Sequence, residues 1–224
     1  MNIIVVGGKG KLGKSIVEKL TQENHNTICI DINAEVKKLE NLTKNIQINA
    51  IIDVSCAENS INSVYYSIEN KIPLIIGCTG HNLKENESIK EASNKIPILL
   101  SYNFSLALQY FYDAINTISK AESKIYITET HHINKKDAPS GTAKEIKNII
   151  NKNKQDVEDI FSMRAGNIVG LHSVDFIFNN ESIKLSHEVF SRKVFADGAY
   201  YALNFIVGKK KGLFSMKDII KNAK

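Results

Sequence analysis

Short apolar runs alternate with amphipathic segments in the N-terminal part of the chain, and this alternation constrains the fold more than any other feature. The runs lie at 2–6, 27–31, 50–55, 73–77 and 97–101. They are almost continuously apolar, which is typical of strands buried on both faces of a parallel sheet. Helices are predicted between them near 11–22, 61–70 and 83–95. Residues 1–103 are therefore predicted to form an α/β domain with a doubly wound parallel sheet.

The first apolar run leads into a glycine-rich turn that fits two patterns. Residues 7–15 read Gly-Gly-Lys-Gly-Lys-Leu-Gly-Lys-Ser, which contains both G-x-G-x-x-G and G-x-x-x-x-G-K-S. The first pattern indicates a dinucleotide site and the second a P-loop. Asp31 favours the dinucleotide, because it ends the second predicted strand, where such folds place a carboxylate near the adenosine ribose. A glycine turn that only lets a helix pack against a strand remains a third interpretation.

The pattern changes after residue 103. A long helix is predicted at 106–120, a strand near 124–129 and a helix at 142–150. The strand-like runs that follow, at 168–169, 172–178 and 183–190, alternate apolar and polar residues. Such alternation suits an antiparallel sheet with one covered face. Helices near 196–207 and 216–221 complete the prediction, with a second, α+β domain between soft boundaries near 103 and 197.

Residues 129–143 concentrate the ionisable groups of this second domain. They read Glu-Thr-His-His-Ile-Asn-Lys-Lys-Asp-Ala-Pro-Ser-Gly-Thr-Ala, between a predicted strand and a predicted helix. Free backbone N–H groups at the start of a helix attract anions, and histidine can donate a proton near neutral pH. The segment therefore predicts proton transfer to a small acidic substrate.

Composition argues against several other classes of protein. The net charge of +5 comes from scattered lysines rather than from a basic stripe, so no nucleic-acid partner is predicted. No apolar run approaches the ~18–20 residues of a membrane span, and no secretory signal is evident. Cys29, Cys56 and Cys78 form an odd set in apolar surroundings, which predicts reduced, mostly buried thiols and a cytoplasmic protein. No cysteine or histidine spacing predicts a metal site.

The 129–143 segment resembles the signature of the dihydrodipicolinate reductase family, E-x-H-H-x-x-K-x-D-x-P-S-G-T-A, and fills every fixed position. Further similarities run nearly end to end: a G-x-x-G-x-x-G turn at Gly7, Gly10 and Gly13, Gly77-Cys78-Thr79-Gly80 for G-T-T-G, N-F-S at 103–105, and R-A-G-x-I-V-G-x-H at 164–172. The chain departs from the family by Lys11-Leu12 in place of R-M, by Cys78 in place of threonine, and by shorter segments between 31 and 50 and around 151–161. The first and last departures affect cofactor choice and loop contacts.

The resemblance implies an NAD(P)H-dependent reduction of 4-hydroxy-tetrahydrodipicolinate to tetrahydrodipicolinate, in diaminopimelate and lysine biosynthesis. It implies an α/β fold with a Rossmann-like doubly wound nucleotide-binding domain, formed by 1–103 and 198–224. An α+β substrate-binding and oligomerisation domain with a mixed sheet would occupy 104–197. The implied partners are a small dicarboxylate substrate, a nicotinamide dinucleotide and further copies of the chain in a homotetramer, with neither nucleic acid nor membrane.

The resemblance also assigns roles to individual residues. It makes His131 the general acid and Lys135 its cationic partner. The substrate-binding residues would be His132, Ser140, Gly141 and Thr142. The cofactor-binding residues would be Gly7, Gly10, Lys11, Leu12, Gly13, Asp31, Ser55, Gly77, Thr79, Asn103 and Phe104. Asp137 is expected to brace the loop, and His172 and His187 to be structural.

NADH is the expected cofactor, with NADPH also accepted. Asp31 is followed by Ile32 rather than by an arginine that would hold a 2′-phosphate, whereas Lys11, Lys37 and Lys38 soften the preference. Two alternatives remain. One is another split-domain nicotinamide-dependent dehydrogenase, such as an amino-acid dehydrogenase, and the other is a non-catalytic dinucleotide-binding protein.

Overall fold

The computed structural model of the protein describes residues 1–30 and 46–222. The chain divides into two compact units, one formed by Met1–Leu106 with Lys193–Lys224 and the other by Ala107–Arg192. No helix within the described ranges combines the length and the apolar composition needed to cross a membrane.

The strands and helices of the described residues are numbered in chain order. The strands are β1 (Asn2–Val6), β2 (Asn26–Ile30), β3 (Ala50–Asp53), β4 (Leu74–Ile76), β5 (Pro97–Leu100), β6 (Lys124–His131), β7 (Val157–Arg164), β8 (Gly170–Ile177), β9 (Ser182–Val189) and β10 (Gly212–Phe214). The helices are α1 (Lys11–Gln22), α2 (Ala57–Asn70), α3 (Leu83–Ala92), α4 (Leu106–Ile118), α5 (Gly141–Lys152), α6 (Lys193–Ile206) and α7 (Met216–Asn222).

The first unit contains a six-stranded sheet in the order β10-β5-β4-β3-β1-β2, and every neighbouring pair is parallel. Ile3 and Val5 pack in one buried cluster with α1 and α6, whereas Ile4 and Val6 pack in another with α2 and α3. Both faces of β1 are thus covered, which explains its continuous apolar run. The predicted doubly wound parallel sheet is confirmed, and the strand order reverses between β1 and β3.

The second unit contains a four-stranded sheet in the order β7-β6-β8-β9. β6 pairs parallel with β7 and antiparallel with β8, and β8 pairs antiparallel with β9. The mixed sheet is confirmed, and purely antiparallel pairing is wrong. Apolar side chains of α4 and α5, such as Ile115 and Ile146, cover one face together with Ile125, Ile127 and Val174.

Two local predictions are wrong, and the strands β7 and β10 were not predicted. The run at 168–169 lies in the loop before β8. β7 was not predicted, because it is an edge strand whose residues are mostly exposed and do not alternate cleanly. The prediction of mostly buried thiols is wrong for Cys29, which is exposed, whereas Cys56 is partly buried and Cys78 is buried.

Candidate active site

The histidine-rich segment joins β6, an inner strand of the second sheet, to a helix. His131 is the last residue of β6, and α5 begins at Gly141 with Ser140 as its N-cap. The carbonyl of His131 accepts a hydrogen bond at 2.8 Å from the backbone amide of Ala165, just after β7. His131 is also paired with Arg164 of β7, whereas the pairing with β8 ends one residue earlier, at Thr130.

Glu129 lies at the centre of this region and is fully buried. Its Oε1 accepts hydrogen bonds from the Ser140 amide at 3.0 Å, the Ser162 hydroxyl at 2.9 Å and the Arg164 guanidinium at 3.2 Å. Burial alone would raise the pKa of Glu129, but hydrogen bonds from Ser140, Ser162 and Arg164 outweigh it and hold the pKa below its usual range. Glu129 is therefore a fixed, ionised carboxylate in the interior.

Two histidines face the same oxygen of Glu129. The Nδ1 atom of His131 lies 3.6 Å from Oε2, and the Nε2 atom of His172 lies 3.7 Å from it. The two rings stand edge to face, with their centroids 5.0 Å apart. Sequence reasoning assigns His172 a structural role, but the strand register places it directly opposite Glu129, in contact with the predicted general acid.

The pKa values of His131 and His172 are both lower than that of an ordinary histidine. Burial lowers the pKa of His131, Glu129 opposes that effect, and the cations of Lys135 and Arg164 add to it. Burial, followed by the charge of His131, lowers the pKa of His172 to about 4. His172 is thus neutral at neutral pH, and His131 needs additional negative charge nearby in order to hold a proton there.

Lys135 lies on a loop that is closed by several hydrogen bonds. Its ammonium group is 2.7 Å from a carboxylate oxygen of Asp137. The guanidinium of Arg164 donates to the carbonyls of Lys135 and Asp137, and the Lys135 amide donates to the carbonyl of His132. Asp137 therefore holds the Lys135 side chain, as expected from the sequence. His132 is half-buried at the start of this turn.

The polar groups of Ser140 are used within the protein. Its amide donates to Glu129, and its Oγ accepts from the Ala143 amide and lies 3.2 Å from Nε2 of His172. The side chain is buried. Ser140 therefore links the start of α5 to the Glu129–histidine cluster, and its contact with a substrate stays a prediction.

The first turn of α5 has an open approach at Gly141. A Cβ atom built on Gly141 would meet no protein atom within 4 Å. The first hydrogen bond between backbone groups of this turn runs from the Lys144 amide to the Ser140 carbonyl, so the amides of Gly141 and Thr142 have no acceptor within the helix. The Thr142 hydroxyl is hydrogen-bonded to Tyr112, whose pKa burial raises to about 12. The geometry suits an anion bound by main-chain N–H groups.

Glu129, His131 and His172 offer three donor atoms that lie within 4.8 Å of one another. Two histidines and a glutamate form a zinc-binding set in other proteins. Here the carboxylate already accepts from a backbone amide, a hydroxyl and the guanidinium of Arg164, which would oppose a cation. We therefore interpret the three residues as an acid–base cluster around a hydrogen-bonded carboxylate, and the absence of a metal stays a prediction.

The glycine-rich turn of the first unit brings α1 close to the sheet. Gly7 has a φ angle of +79°, and a Cβ there would lie 2.9 Å from the backbone of Ser55. A Cβ on Gly13 would lie 2.1 Å from the carbonyl oxygen of Gly7. The N-cap residue of α1 is Gly10, so no side chain caps the first amides of the helix, and the first turn contains no acidic residue. This helix start is compatible with a phosphate group.

The other predicted cofactor residues follow the carboxyl ends of parallel strands. Ser55 follows β3, Gly77 and Thr79 follow β4, and Asn103 and Phe104 follow β5. This edge, beside the reversal between β1 and β3, is where doubly wound sheets bind ligands. Phe104 is buried, and a Cβ on Gly77 would lie 2.5 Å from its ring, so its side chain supports the turn at Gly77.

Asp31 and Asp53 bear on whether the glycine turn binds a dinucleotide or is a P-loop, and the structure describes only Asp53. Asp31 lies outside the described residues, so its predicted contact with the ribose stays a prediction. Asp53 would be the magnesium-supporting carboxylate of a P-loop site. It is fully buried and accepts hydrogen bonds from Ser55 and Ser63. An enclosed Asp53 argues against the P-loop interpretation.

Stability should depend on pH through His172. Its pKa is about 4 in the folded protein, compared with 6.5 for an ordinary histidine. Between these values the unfolded chain binds a proton that the folded protein does not, so stability falls as the pH is lowered. The contribution is on the order of 3 kcal/mol. Urea unfolding of the wild type and of His172→Gln at about pH 7 and about pH 4.5 measures it. We expect the free energy of unfolding to fall less between these two pH values in the variant than in the wild type. An equal fall in both would contradict a lowered pKa of His172.

The fold and the site together define a Rossmann-like α/β oxidoreductase with a second, mixed-sheet unit that carries an acid–base cluster. Residues 1–104 match the family described as dihydrodipicolinate reductase, N-terminus, and residues 105–220 match dihydrodipicolinate reductase, C-terminus. The chain therefore belongs to the dihydrodipicolinate reductase family.

Individual relatives agree with this assignment. A 4-hydroxy-tetrahydrodipicolinate reductase of Thermosipho africanus (strain TCF52B) is 36% identical, covering 100% of this chain and 99% of the relative. A reductase of the same name from Alkaliphilus oremlandii (strain OhILAs) is 32% identical, covering 98% of each chain. The solved structure of dipicolinate-bound dihydrodipicolinate reductase from Paenisporosarcina sp. TG-14 shares the fold, with a TM-score of 0.82, 18% identity and coverage of 98% of this chain and 99% of that one.

Sequence reasoning assigned no role to Glu129, Ser162 or Arg164. Glu129 and His131 are two residues apart on one strand, so they share a face of the sheet. This two-residue spacing could have predicted from the sequence that Glu129 lies beside His131. Tyr126 and Thr128 lie on the other face of β6. Arg164 lies opposite His131 in the parallel pairing of β6 with β7, and this register is not visible in the sequence.

Proposed function

We propose that this protein reduces 4-hydroxy-tetrahydrodipicolinate to tetrahydrodipicolinate with a nicotinamide cofactor, in the diaminopimelate route to lysine. The observation that carries the proposal is that Glu129 lies 3.6 Å from His131 and accepts from the amide of Ser140, the residue before the open helix start at Gly141. A proton donor and an anion site thus share one segment. Two full-length relatives have this reductase name, and a protein with the same fold binds dipicolinate.

The 4-hydroxyl group leaves as water with a hydrogen from a neighbouring ring carbon, which gives a conjugated imine. The reduction then adds one hydride and one proton to this imine. The cofactor, when bound, supplies the hydride. Hydride addition to the conjugated imine leaves a nitrogen-conjugated carbanion on the substrate, and His131 donates the proton that neutralises it. Lys135 lies four residues after His131 and its charge acts on that ring, so it would balance the charge of a carboxylate bound beside His131.

Binding of the substrate would prepare His131 for this role. The pKa of His131 is lowered in the free protein, mainly by burial, so a neutral ring predominates at neutral pH. A dicarboxylate beside it adds negative charge and favours the protonated ring. Substrate binding and proton uptake by His131 are therefore coupled.

The dicarboxylate would be held at the start of α5. The backbone amides of Gly141 and Thr142 and the positive end of the helix dipole would bind one carboxylate. His132 and Lys135 would provide polar contacts from the preceding loop, and Ser140 would fix the helix start. We propose that residues 104–197 form the substrate-binding and oligomerisation domain.

The dinucleotide would be held by the edge of the parallel sheet, in the domain proposed for 1–103 and 198–224. Gly7, Gly10 and Gly13 allow close approach of a pyrophosphate, and Lys11 and Leu12 begin the helix that faces it. Ser55, Gly77, Thr79 and Asn103 would line the same edge. The cytoplasm is the proposed location.

We also propose a homotetramer. Phe161 and Met163 are 52% and 56% exposed on the face of the second sheet opposite its helices, and Phe161 stacks on Tyr126. Exposed aromatic and apolar side chains of this kind often mark an interface. Light scattering of the wild type should give four chains, and Phe161→Glu should reduce that number.

NADH should be preferred to NADPH by about ten-fold or less in kcat/KM. A 2′-phosphate beside Asp31 would cost on the order of 1–2 kcal/mol near solvent, and Lys11 would offset part of that cost. Asp31→Ala should raise the NADPH-to-NADH ratio of kcat/KM without changing KM for the dicarboxylate. A wild-type protein that strongly prefers NADPH would show that the lysines outweigh Asp31.

The reductase proposal is tested by cofactor oxidation in the presence of the condensation product of pyruvate and aspartate semialdehyde. We expect loss of NADH absorbance that requires this substrate and is inhibited by pyridine-2,6-dicarboxylate. Oxidation of an amino acid with NAD⁺, and no reaction with the condensation product, would instead indicate an amino-acid dehydrogenase.

A further inference from the structure

The Glu129 carboxylate beside His131 is fixed in orientation by its hydrogen bonds. Glu129 is held by donors from two sides, because the Ser140 amide approaches from the start of α5 and Ser162 and Arg164 approach from β7. All three contacts involve Oε1, and the Ser140 amide also lies 3.2 Å from Oε2. The carboxylate therefore has a fixed orientation, with Oε2 facing the histidines.

The two ring nitrogens of His131 have different surroundings. Nδ1 is buried, has no hydrogen bond, and lies 3.6 Å from Oε2 of Glu129. Nε2 faces Gly170, where a Cβ atom would lie only 3.3 Å away. Glycine at 170 avoids a crowded contact with Nε2. Nε2, unlike Nδ1, is not a fully buried atom, so it is the nitrogen that a ligand can approach.

We propose that Glu129 is a positioning residue that holds a proton on Nδ1 of His131 and thereby directs Nε2 towards the substrate. A carboxylate that accepts from one nitrogen of a histidine determines what the other nitrogen can do. The distance of 3.6 Å exceeds that of a hydrogen bond, and contacts of this kind often shorten when a ligand binds.

His172 completes the arrangement from the neighbouring strand. Its Nε2 lies 3.2 Å from the Ser140 hydroxyl and 3.7 Å from Oε2 of Glu129, and the side chain is buried. A neutral His172 shields Oε2 from water without competing for its charge. Ser140 in turn begins the helix proposed to bind the substrate carboxylate, so Glu129 faces the acid on one side and is hydrogen-bonded to the start of that helix on the other.

The charged and titratable groups that face His131 come from three strands and the loop. Glu129, Lys135, Asp137 and Arg164 affect its protonation, and the charge of His131 in turn lowers the pKa of His172. Glu129 and Asp137 favour the protonated ring, and Lys135 and Arg164 disfavour it. Removing the charge of Glu129 should therefore lower the pH at which His131 loses its proton.

The inference rests on the proposed function only for the identity of the reaction, and its first test needs no turnover. In the wild-type protein labelled with ¹⁵N-histidine and free of ligand, the neutral His131 ring should carry its proton on Nδ1. His131→Gln identifies the signal. A proton on Nε2 of the neutral ring would overturn the inference, whether or not the protein is a reductase.

The second test uses the nearly isosteric Glu129→Gln. We expect kcat to fall about 10- to 100-fold, with KM for the dicarboxylate and affinity for NADH changed by less than about 3-fold. The pH at which kcat falls, as His131 loses its proton, should be lower in the variant by about one pH unit. Ser162→Ala, which removes one donor to Glu129, should shift it less. Asp175→Asn, a charge removal on β8, should leave it unchanged.

A merely structural Glu129 predicts a different pattern. Glu129→Gln would then lower the melting temperature, while kcat per folded molecule and its pH profile stay those of the wild type. That result would overturn the inference. If Glu129→Gln does not fold, the ¹⁵N measurement on the wild type and the profile of Ser162→Ala still decide. If the wild-type protein shows no reductase activity, that result contradicts the proposed function but not the inferred role of Glu129.

Discussion

Replacing His131 with glutamine should lower kcat by about 100-fold or more, which is the usual scale for removing a general acid. Glutamine fills part of the same volume and cannot donate a proton as an imidazolium does. His131 is buried at the end of β6 and its ring faces Glu129 and His172, so the substitution removes the proposed donor without opening the sheet. Steady-state kinetics with NADH and the condensation product measure the effect.

A second histidine provides the control for this experiment. His25 lies in the first unit and contacts the N-terminal amine and Tyr200, so His25→Gln should leave kcat unchanged. Circular dichroism and NADH affinity should match the wild type for both variants. Turnover of His131→Gln within about 3-fold of the wild type would show that another group or water delivers the proton.

Replacing Gly141 with valine should raise KM for the dicarboxylate by about 10- to 100-fold, with little change in NADH affinity. The added side chain would occupy the open space in front of the first turn of α5 and block a carboxylate from the backbone amides. Loss of hydrogen bonds to a charged group costs roughly 1.5–3 kcal/mol, which corresponds to that range in affinity. A Cβ at Gly141 meets no protein atom within 4 Å, so the fold should tolerate valine.

Calorimetry with pyridine-2,6-dicarboxylate separates this effect from a loss of helix stability. Asn148→Val places the same residue two turns further along α5 at an exposed position, and it should bind the dicarboxylate like the wild type. If Gly141→Val instead lost NADH binding and kept its affinity for the dicarboxylate, the anion site would have been assigned to the wrong ligand.

The parallel sheet was predictable because burial on both faces makes its strands continuously apolar. β1 shows this directly, with Ile3 and Val5 in one cluster and Ile4 and Val6 in the other. β7 and β10 were missed for the opposite reason. Both are edge strands, β10 has three residues, and most residues of β7 are exposed. Neither pattern carries a strong signal of burial.

Part of the site was likewise contained in a single segment of sequence. His131, Lys135 and the helix start at Gly141 belong to one loop, so the motif predicts them together. The partners of Glu129 could not be predicted, because they depend on the pairing of β6 with β7 and β8. That register places Arg164 opposite His131 and His172 opposite Glu129, although more than thirty residues separate each pair in the chain.

Transfer of a labelled hydride tests the central claim most directly. Wild-type protein is incubated with the condensation product of pyruvate and aspartate semialdehyde and with NADH deuterated at the transferred position, and the product is analysed by mass spectrometry. We predict tetrahydrodipicolinate that carries one deuterium, formed at the rate of NADH oxidation and much more slowly by His131→Gln. Oxidation of the cofactor without deuterium in tetrahydrodipicolinate, or no oxidation at all, would contradict the assignment of this protein as the reductase.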